Sequence, residues 1–168
     1  MKDWASIDIE TSGLDPHYNQ VIEIGICGRY GQTWEATIGF DLSRADPKAL
    51  EVNGWGKRDF APAKPVGTVL DALTNWFGDG TLIVASPAHF DLGFLEALFR
   101  EHKRDPPWGR RNVIDIKSYA CGRLGLLTNL KNSEIGRLLD IPEPSTEHTA
   151  LGDAVYQRNI FAALTGEL

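Results

Sequence analysis

The sequence has 168 residues, of which 42% are hydrophobic and 24% are charged. These values are ordinary for a globular protein, and we predict a single domain over residues 1–168. No apolar run approaches the roughly 20 residues that cross a bilayer, and the N-terminus lacks the pattern of a signal peptide. The net charge of −6 argues against a protein that holds nucleic acid by charge alone, but not against one that meets phosphate through bound cations.

The first 40 residues predict three β-strands, at Trp4 to Glu10, Gln20 to Tyr30 and Thr33 to Phe40. The segment "SGLDP" ends the first strand with glycine and proline. Gly31-Gln32 is suited to a tight turn between the second and third strands. We therefore expect a three-stranded antiparallel meander.

The rest of the chain alternates predicted helices with short strands. Asp46-Pro47 starts a short helix that ends near Asn53-Gly54. Apolar residues at helical spacing predict further helices at Val66 to Phe77, Phe90 to His102, Ile116 to Gly122, Ser133 to Leu139 and Thr149 to Leu164. Short strands are predicted at Thr81 to Ala85 and Asn112 to Ile116. This order indicates an α/β domain with one mixed sheet.

Two cysteines, Cys27 and Cys121, lie far apart and outside any metal-ligand spacing. We therefore interpret both as reduced, buried, small apolar side chains. This use of cysteine predicts a cytoplasmic protein.

Two acids, Asp8 and Glu10, lie two residues apart in the first predicted strand. Residues i and i+2 of a strand point to the same face, which places their Cβ atoms roughly 7 Å apart. That spacing suits carboxylates that share one Mg²⁺ or Mn²⁺ ion or hold two adjacent ones. A polar, solvated strand face is the alternative, because short motifs recur by chance.

Three residues farther along the chain carry candidate chemistry. Asp91 lies at the start of a predicted helix, where the helix dipole alone would favour an acid. His148 and Asp153 form H-x4-D at the start of the last helix, and a loop histidine followed by an unrelated helix acid is the alternative. A histidine, whose pKa is near neutrality, suits general base catalysis.

The four acids each lie at the end of an apolar element or in its first turns, where a sheet and its helices could converge on one cleft. Carboxylates in one cleft repel and raise each other's pKa unless cations neutralise them. Four acids, two metal ions and one base are the groups that phosphoryl hydrolysis requires. The pattern therefore predicts a metal-dependent hydrolase.

In this order, D-x-E on the first strand, F-D at the start of a middle helix and H-x4-D at the last helix resemble the DEDDh 3′→5′ exonucleases. The resemblance extends from "ASIDIETSGLDP" through "VIEIGI", "ALEVNGW" and "HFDLGFLEALF" to "EHTALGDAVYQ". It implies a ribonuclease-H-like fold with a central mixed five-stranded sheet. In that sheet the antiparallel meander is joined by two parallel strands and is flanked by helices.

The resemblance also implies roles for individual residues. It implies that two divalent cations, Mg²⁺ or Mn²⁺, are bound by Asp8, Glu10, Asp91 and Asp153. It implies that His148 is the general base. It places the 3′-terminal nucleotide of the substrate at Thr11, Gly13 and Leu14, with Asn53 and Trp55 near the terminal base. For Trp55, a place in the core or at its rim is the alternative.

Three other positions bear on the predicted cleft. Relatives commonly carry His-Asn where this chain has Ser86-Pro87, which bears on how the substrate backbone is positioned. Asp115 is expected to be a helix cap rather than a fifth ligand. Glu23, in the middle of the second strand, could reach the cleft or face solvent.

The activity implied is metal-dependent removal of 5′-mononucleotides from the 3′ ends of single-stranded DNA or RNA. Residue types do not distinguish the two substrates. A non-catalytic module that binds nucleic-acid ends or a polymerase is one alternative. A ribonuclease-H-like endonuclease is another, although H-x4-D argues against it. The expected partners are single-stranded 3′ ends, with a polymerase or a second subunit as the candidate protein partner.

Overall fold

The described residues form a five-stranded sheet. The computed structural model describes residues 3–57, 59–78, 80–109, 111–126, 130–144 and 149–167. Its strands are β1 (Trp4–Thr11), β2 (Val21–Gly28), β3 (Thr33–Thr37), β4 (Leu82–Ala85) and β5 (Val113–Asp115). They lie in the order β3-β2-β1-β4-β5. The pairs β1–β2 and β2–β3 are antiparallel, whereas β4 is parallel to both β1 and β5. The predicted mixed five-stranded sheet is confirmed.

The helices flank this sheet. They are α1 (Pro47–Val52), α2 (Val66–Phe77), α3 (Ala88–Glu101), α4 (Ile116–Leu124), α5 (Asn132–Leu138) and α6 (Ala150–Thr165). A 3-10 turn at Leu42–Arg44, which the sequence pattern did not predict, precedes α1. The predicted bounds of α2 are confirmed. The helix α3 begins two residues earlier than predicted, because Pro87 stands at its N-cap and the chain is already helical at Ala88.

The second strand ends earlier than predicted because the hairpin turn is larger than two residues. The third strand begins at Thr33 as predicted but ends at Thr37 instead of Phe40. The Gly28 amide donates to the Gln32 carbonyl at 2.7 Å, and the Gly31 amide donates to the Gly28 carbonyl at 2.9 Å. Gly31 has a φ of 84°, which favours glycine. The strand β2 therefore ends at Gly28, and Tyr30 lies in the turn.

Apolar residues pack on both faces of the sheet. Ile7 and Ile9 of β1 belong to the core on the side of α2 and α3. Trp4 of β1 belongs to the core that α4, α5 and α6 form on the other side. Because side chains alternate along a strand, Ser6, Asp8 and Glu10 share the face of Trp4. These polar residues of β1 are therefore directed toward α6.

Two expectations concern the setting of the protein. Within the part of the chain that the structure describes, no helix is long and apolar enough to cross a membrane. Cys27 is buried, whereas Cys121 is half-buried. The prediction that both are buried is therefore wrong for Cys121, whose helix α4 buries only Ile116 and Ala120. The cytoplasmic location stays a prediction.

Candidate metal centre

Three carboxylates come together at the end of β1. One ligand oxygen each from Asp8, Glu10 and Asp153 lies within 4.8 Å of the other two. The alternation of β1 places the first two on one face, and the first turn of α6 supplies the third. Carboxylate oxygens at this spacing are the donors that hard cations such as Mg²⁺ and Mn²⁺ prefer. The sequence prediction that these three acids meet is confirmed.

The fourth acid, Asp91, reaches the same strand from α3. The pairing of β1 with β4 covers only Trp4 to Ser6, so the amide of Ile9 lies beyond the end of β4. The Asp91 Oδ1 atom accepts a hydrogen bond from that amide at 3.2 Å. The side chain of Asp91 is only 2% exposed. Since Ile9 stands between Asp8 and Glu10, this contact places Asp91 beside the acidic cluster, although its oxygens are not among those that lie within 4.8 Å of one another.

Two residues of β2 let α6 approach the sheet closely. Gly25 pairs with Asp8 and Glu23 pairs with Glu10. A Cβ atom on Gly25 would overlap the backbone of Ala150, so only glycine leaves room for the first turn of α6. The buried Glu23 carboxylate accepts a hydrogen bond from the Ala150 amide at 3.2 Å. Glu23 therefore faces the protein interior, and together with Gly25 it sets the position of α6.

The start of α3 is fixed by Asp115. The Asp115 Oδ2 atom accepts from the Ala88 amide at 2.9 Å, and its Oδ1 atom accepts from the Ser118 amide at 2.8 Å. The prediction that Asp115 caps a helix is confirmed, since it is the N-cap of α4. The segment Ser86-Pro87, where relatives commonly carry His-Asn, is also held in place. The Ser86 hydroxyl donates a hydrogen bond to Asn132 Oδ1 at 2.6 Å. Asp115 thus holds the helix that carries Asp91.

The electrostatics of the cluster disfavour four ionised acids. Burial, followed by the charges of Asp91, Asp153 and Glu10, holds the pKa of Asp8 well above its usual range. Burial likewise raises the pKa of Asp91 to about 8, although the Ile9 amide works in the opposite direction. A nearby cation stabilises the ionised form of such carboxyl groups and so lowers their pKa. The donor set and its charge therefore fit divalent cations.

The raised pKa of Asp91 predicts a pH dependence of stability. In the unfolded chain its pKa is about 3.9, so between about pH 4 and about pH 8 the folded state binds the proton more tightly. This contribution to stability is full below the lower value and is lost progressively as the pH rises to the higher one. We expect the Tm of protein in EDTA to fall over that range, and the fall to be smaller in Asp91→Asn. Equal slopes for both proteins in thermal melts would contradict the expectation.

The residues proposed for the 3′-terminal nucleotide lie at the end of β1 and in the loop that follows it. The Thr11 hydroxyl donates to the Gly13 carbonyl at 2.6 Å, and a side chain at Gly13 would overlap Asn19. Leu14, 79% exposed, stands at the surface of this loop. The buried Asn53 donates from Nδ2 to the Thr11 carbonyl at 3.1 Å. Asn53 thus links α1 to the loop.

Trp55 and His148 are the remaining site residues that the sequence predicted. Trp55 is half-buried and packs against two aromatic rings, with centroid distances of 4.7 Å to Phe40 and 4.8 Å to Phe60. This packing agrees with the alternative that Trp55 belongs to the rim of the core. His148 lies outside the described residues, and its role stays a prediction.

The sequence also matches known proteins over nearly its full length. A family model described as "Exonuclease" matches residues 5–161. The 3′-5′ DNA exonuclease Cap18 of Escherichia coli is 30% identical in an alignment that covers 94% of this chain and 89% of that protein. A PolC-type DNA polymerase III of Streptococcus pyogenes is 29% identical over 96% of this chain, which spans only 10% of the polymerase.

Solved structures agree with these matches at the level of the fold. Exonuclease I of Escherichia coli, in complex with a dT13 oligonucleotide, superposes with a TM-score of 0.77 at 16% identity. The superposition covers 98% of this chain and 41% of exonuclease I. The five-stranded sheet is thus the sheet of a ribonuclease-H-like exonuclease fold. With the family model matched over residues 5–161 and a relative at 30% identity, the chain belongs to the exonuclease family.

Proposed function

We propose that this chain is a 3′→5′ exonuclease of the DEDDh type, in one domain over residues 1–168. It hydrolyses phosphodiester bonds at the 3′ ends of single-stranded DNA or RNA and releases 5′-mononucleotides. The observation that carries the proposal is the cluster of Asp8, Glu10 and Asp153, whose ligand oxygens lie within 4.8 Å of one another. Asp91 supports it through its hydrogen bond to the amide of Ile9.

In this proposal Asp8, Glu10, Asp91 and Asp153 hold two divalent cations, Mg²⁺ or Mn²⁺. When bound, such a pair lowers the pKa of the attacking water and stabilises the leaving oxygen. His148 takes the proton of that water as general base. In the sequence His148 comes directly before Thr149, whose hydroxyl accepts from the Gly152 amide at 3.1 Å and caps α6. Asp153 lies in the first turn of the helix that begins two residues after the proposed base in the sequence.

The loop after β1 would receive the 3′-terminal nucleotide. Thr11 and Gly13 shape the loop through their mutual hydrogen bond, and the exposed Leu14 offers an apolar surface to the terminal base. Asn53 would hold Thr11 in place through the hydrogen bond from its Nδ2 atom to the Thr11 carbonyl. Trp55 would contact the base only with the part of its ring that Phe40 and Phe60 leave open.

Two relatives bear on substrate and partner. The relative with 30% identity is named a DNA exonuclease, which favours DNA among the two nucleic acids. The matching segment of the PolC-type protein is part of a polymerase chain, which makes a polymerase the protein partner to test first.

The experiment compares single-stranded oligonucleotides with a free or a blocked 3′ end, as matched DNA and RNA, in Mg²⁺ or Mn²⁺. We expect 5′-mononucleotides from the free end and none from the blocked end. His148→Ala should lower the rate by roughly 10²- to 10⁴-fold, the usual contribution of a general base. Cleavage of the blocked substrate would favour an endonuclease. Binding of ends without turnover at any metal concentration would favour a non-catalytic module.

A further inference from the structure

An amide side chain lies within the buried face of α6. Most buried residues of this helix are apolar or aromatic: Ala150, Ala154, Tyr156, Ile160, Phe161, Ala162 and Leu164. Gln157, on the same helix, is only 1% exposed. A buried amide loses its hydrogen bonds to water, and this loss destabilises the fold unless protein groups replace them. The burial of Gln157 is therefore unfavourable unless groups of the protein bond to its amide.

Gln157 is satisfied on one side only. Its Nε2 atom donates to Asp8 Oδ1 at 2.6 Å, a short hydrogen bond between residues 149 positions apart. Among the described residues, its Oε1 atom has no hydrogen-bond partner. An apolar side chain of similar volume would remove this unsatisfied oxygen and pack equally well. Stability alone does not explain an amide here, whereas the contact with Asp8 does.

The position of Gln157 relative to Asp153 also places Gln157 beside the acidic cluster. Residues four apart in a helix lie on one face, so both side chains project from α6 toward β1. One turn of α6 thus contributes Asp153 to the acidic cluster, and the next turn contacts Asp8 in that cluster. The helix itself is held against β2 by Glu23 and by the close approach at Gly25.

We propose that Gln157 is a positioning residue, which fixes the orientation of the Asp8 carboxylate for a divalent cation. The proposal rests on the metal site proposed above. The Nε2–H group occupies one lone pair of Oδ1 and restricts rotation of the carboxylate about its Cβ–Cγ bond. The remaining lone pairs of the carboxylate are left for a cation. Without this restraint, cation binding has to order the carboxylate, and affinity falls.

Replacement of Gln157 by leucine separates this role from a structural one. Loss of such a supporting hydrogen bond typically weakens metal affinity by roughly 10- to 100-fold. We expect Gln157→Leu to weaken Mn²⁺ binding in calorimetry by that factor, while the Tm in EDTA stays the same or rises. Activity lost at low Mn²⁺ should return at high Mn²⁺. The control is Thr165→Val on the same helix, whose hydroxyl bonds to the helix carbonyls of Phe161 and Ala162, away from Asp8.

The second variant, Gln157→Met, keeps an unbranched side chain without a donor. Affinity within about twofold of wild type in either folded variant overturns the proposal, because supporting hydrogen bonds of this kind have larger effects. A clear fall of Tm in both variants would make Gln157 a structural residue and would also overturn it. A wild-type protein that binds no Mn²⁺ would instead refute the metal site itself, which distinguishes the two failures.

Discussion

Replacing Asp8 by asparagine is expected to remove nearly all nuclease activity and, at the same time, to stabilise the protein in EDTA. The variant would lose one of the four anionic side chains proposed to hold the cations. Charge stabilisation by metal ions contributes several kcal/mol, and a loss of about 4 kcal/mol corresponds to roughly 10³-fold in rate. Stability moves the other way because burial, Asp91, Asp153 and Glu10 all raise the pKa of Asp8. A neutral amide avoids the cost of that buried charge.

The two effects are measured on the same preparation, by oligonucleotide hydrolysis in Mn²⁺ and by thermal melts in EDTA near neutral pH. Asp105→Asn is the matched control, since Asp105 is an exposed acid outside the cluster. It should change neither quantity. An Asp8→Asn variant that kept wild-type rates would exclude Asp8 from the catalytic site, and one with a lower Tm in EDTA would contradict the electrostatic account.

The second large effect is expected at Gly25. An added methyl group would overlap the carbonyl of Ala150 and the amide of Leu151, which are backbone atoms and cannot turn aside. Gly25→Ala should therefore shift the first turn of α6, which carries Asp153. Overpacking of this kind costs about 1–3 kcal/mol of stability. A displacement of about 1 Å at a catalytic group can cost roughly 10²-fold in rate.

Gly122→Ala provides the comparison for this prediction. Gly122 is an exposed residue of α4 with open space where a Cβ atom would lie. Alanine in a helix interior is favoured over glycine by roughly 0.5–1 kcal/mol, so this variant should melt slightly higher. Urea unfolding and the nuclease assay report on both proteins. If Gly25→Ala were as stable and as active as Gly122→Ala, the close approach of α6 would not position Asp153.

Residues whose chemistry follows from local pattern could be predicted from the sequence. The alternation of β1 is a local property, and it places Asp8 and Glu10 on one face wherever the strand lies. Asp91 could be assigned to the start of a helix for the same reason. That these acids meet depends on the order of the strands, which the pattern of elements alone does not single out. The roles given to His148 and to the substrate contacts stay predictions.

Residues whose role depends on contacts with distant parts of the chain could not be predicted from the local sequence pattern. Gln157 lies 149 positions from Asp8, and a glutamine in an amphipathic helix normally indicates the solvated face. Glu23 could be placed neither in the cleft nor in solvent, because its partner is the backbone amide of Ala150. Gly25 in a strand suggests close approach of another segment, but only the packed structure identifies that segment as α6.

The central claim is that four acids form one site for two divalent cations. Anomalous diffraction from crystals of the protein soaked in Mn²⁺ and a 5′-mononucleotide tests it most directly. We expect two manganese peaks between the side chains of Asp8, Glu10, Asp91 and Asp153, and at most a weak one in crystals of Asp8→Asn. Manganese bound elsewhere, or absent from the wild-type cluster at saturating concentration, would contradict the claim.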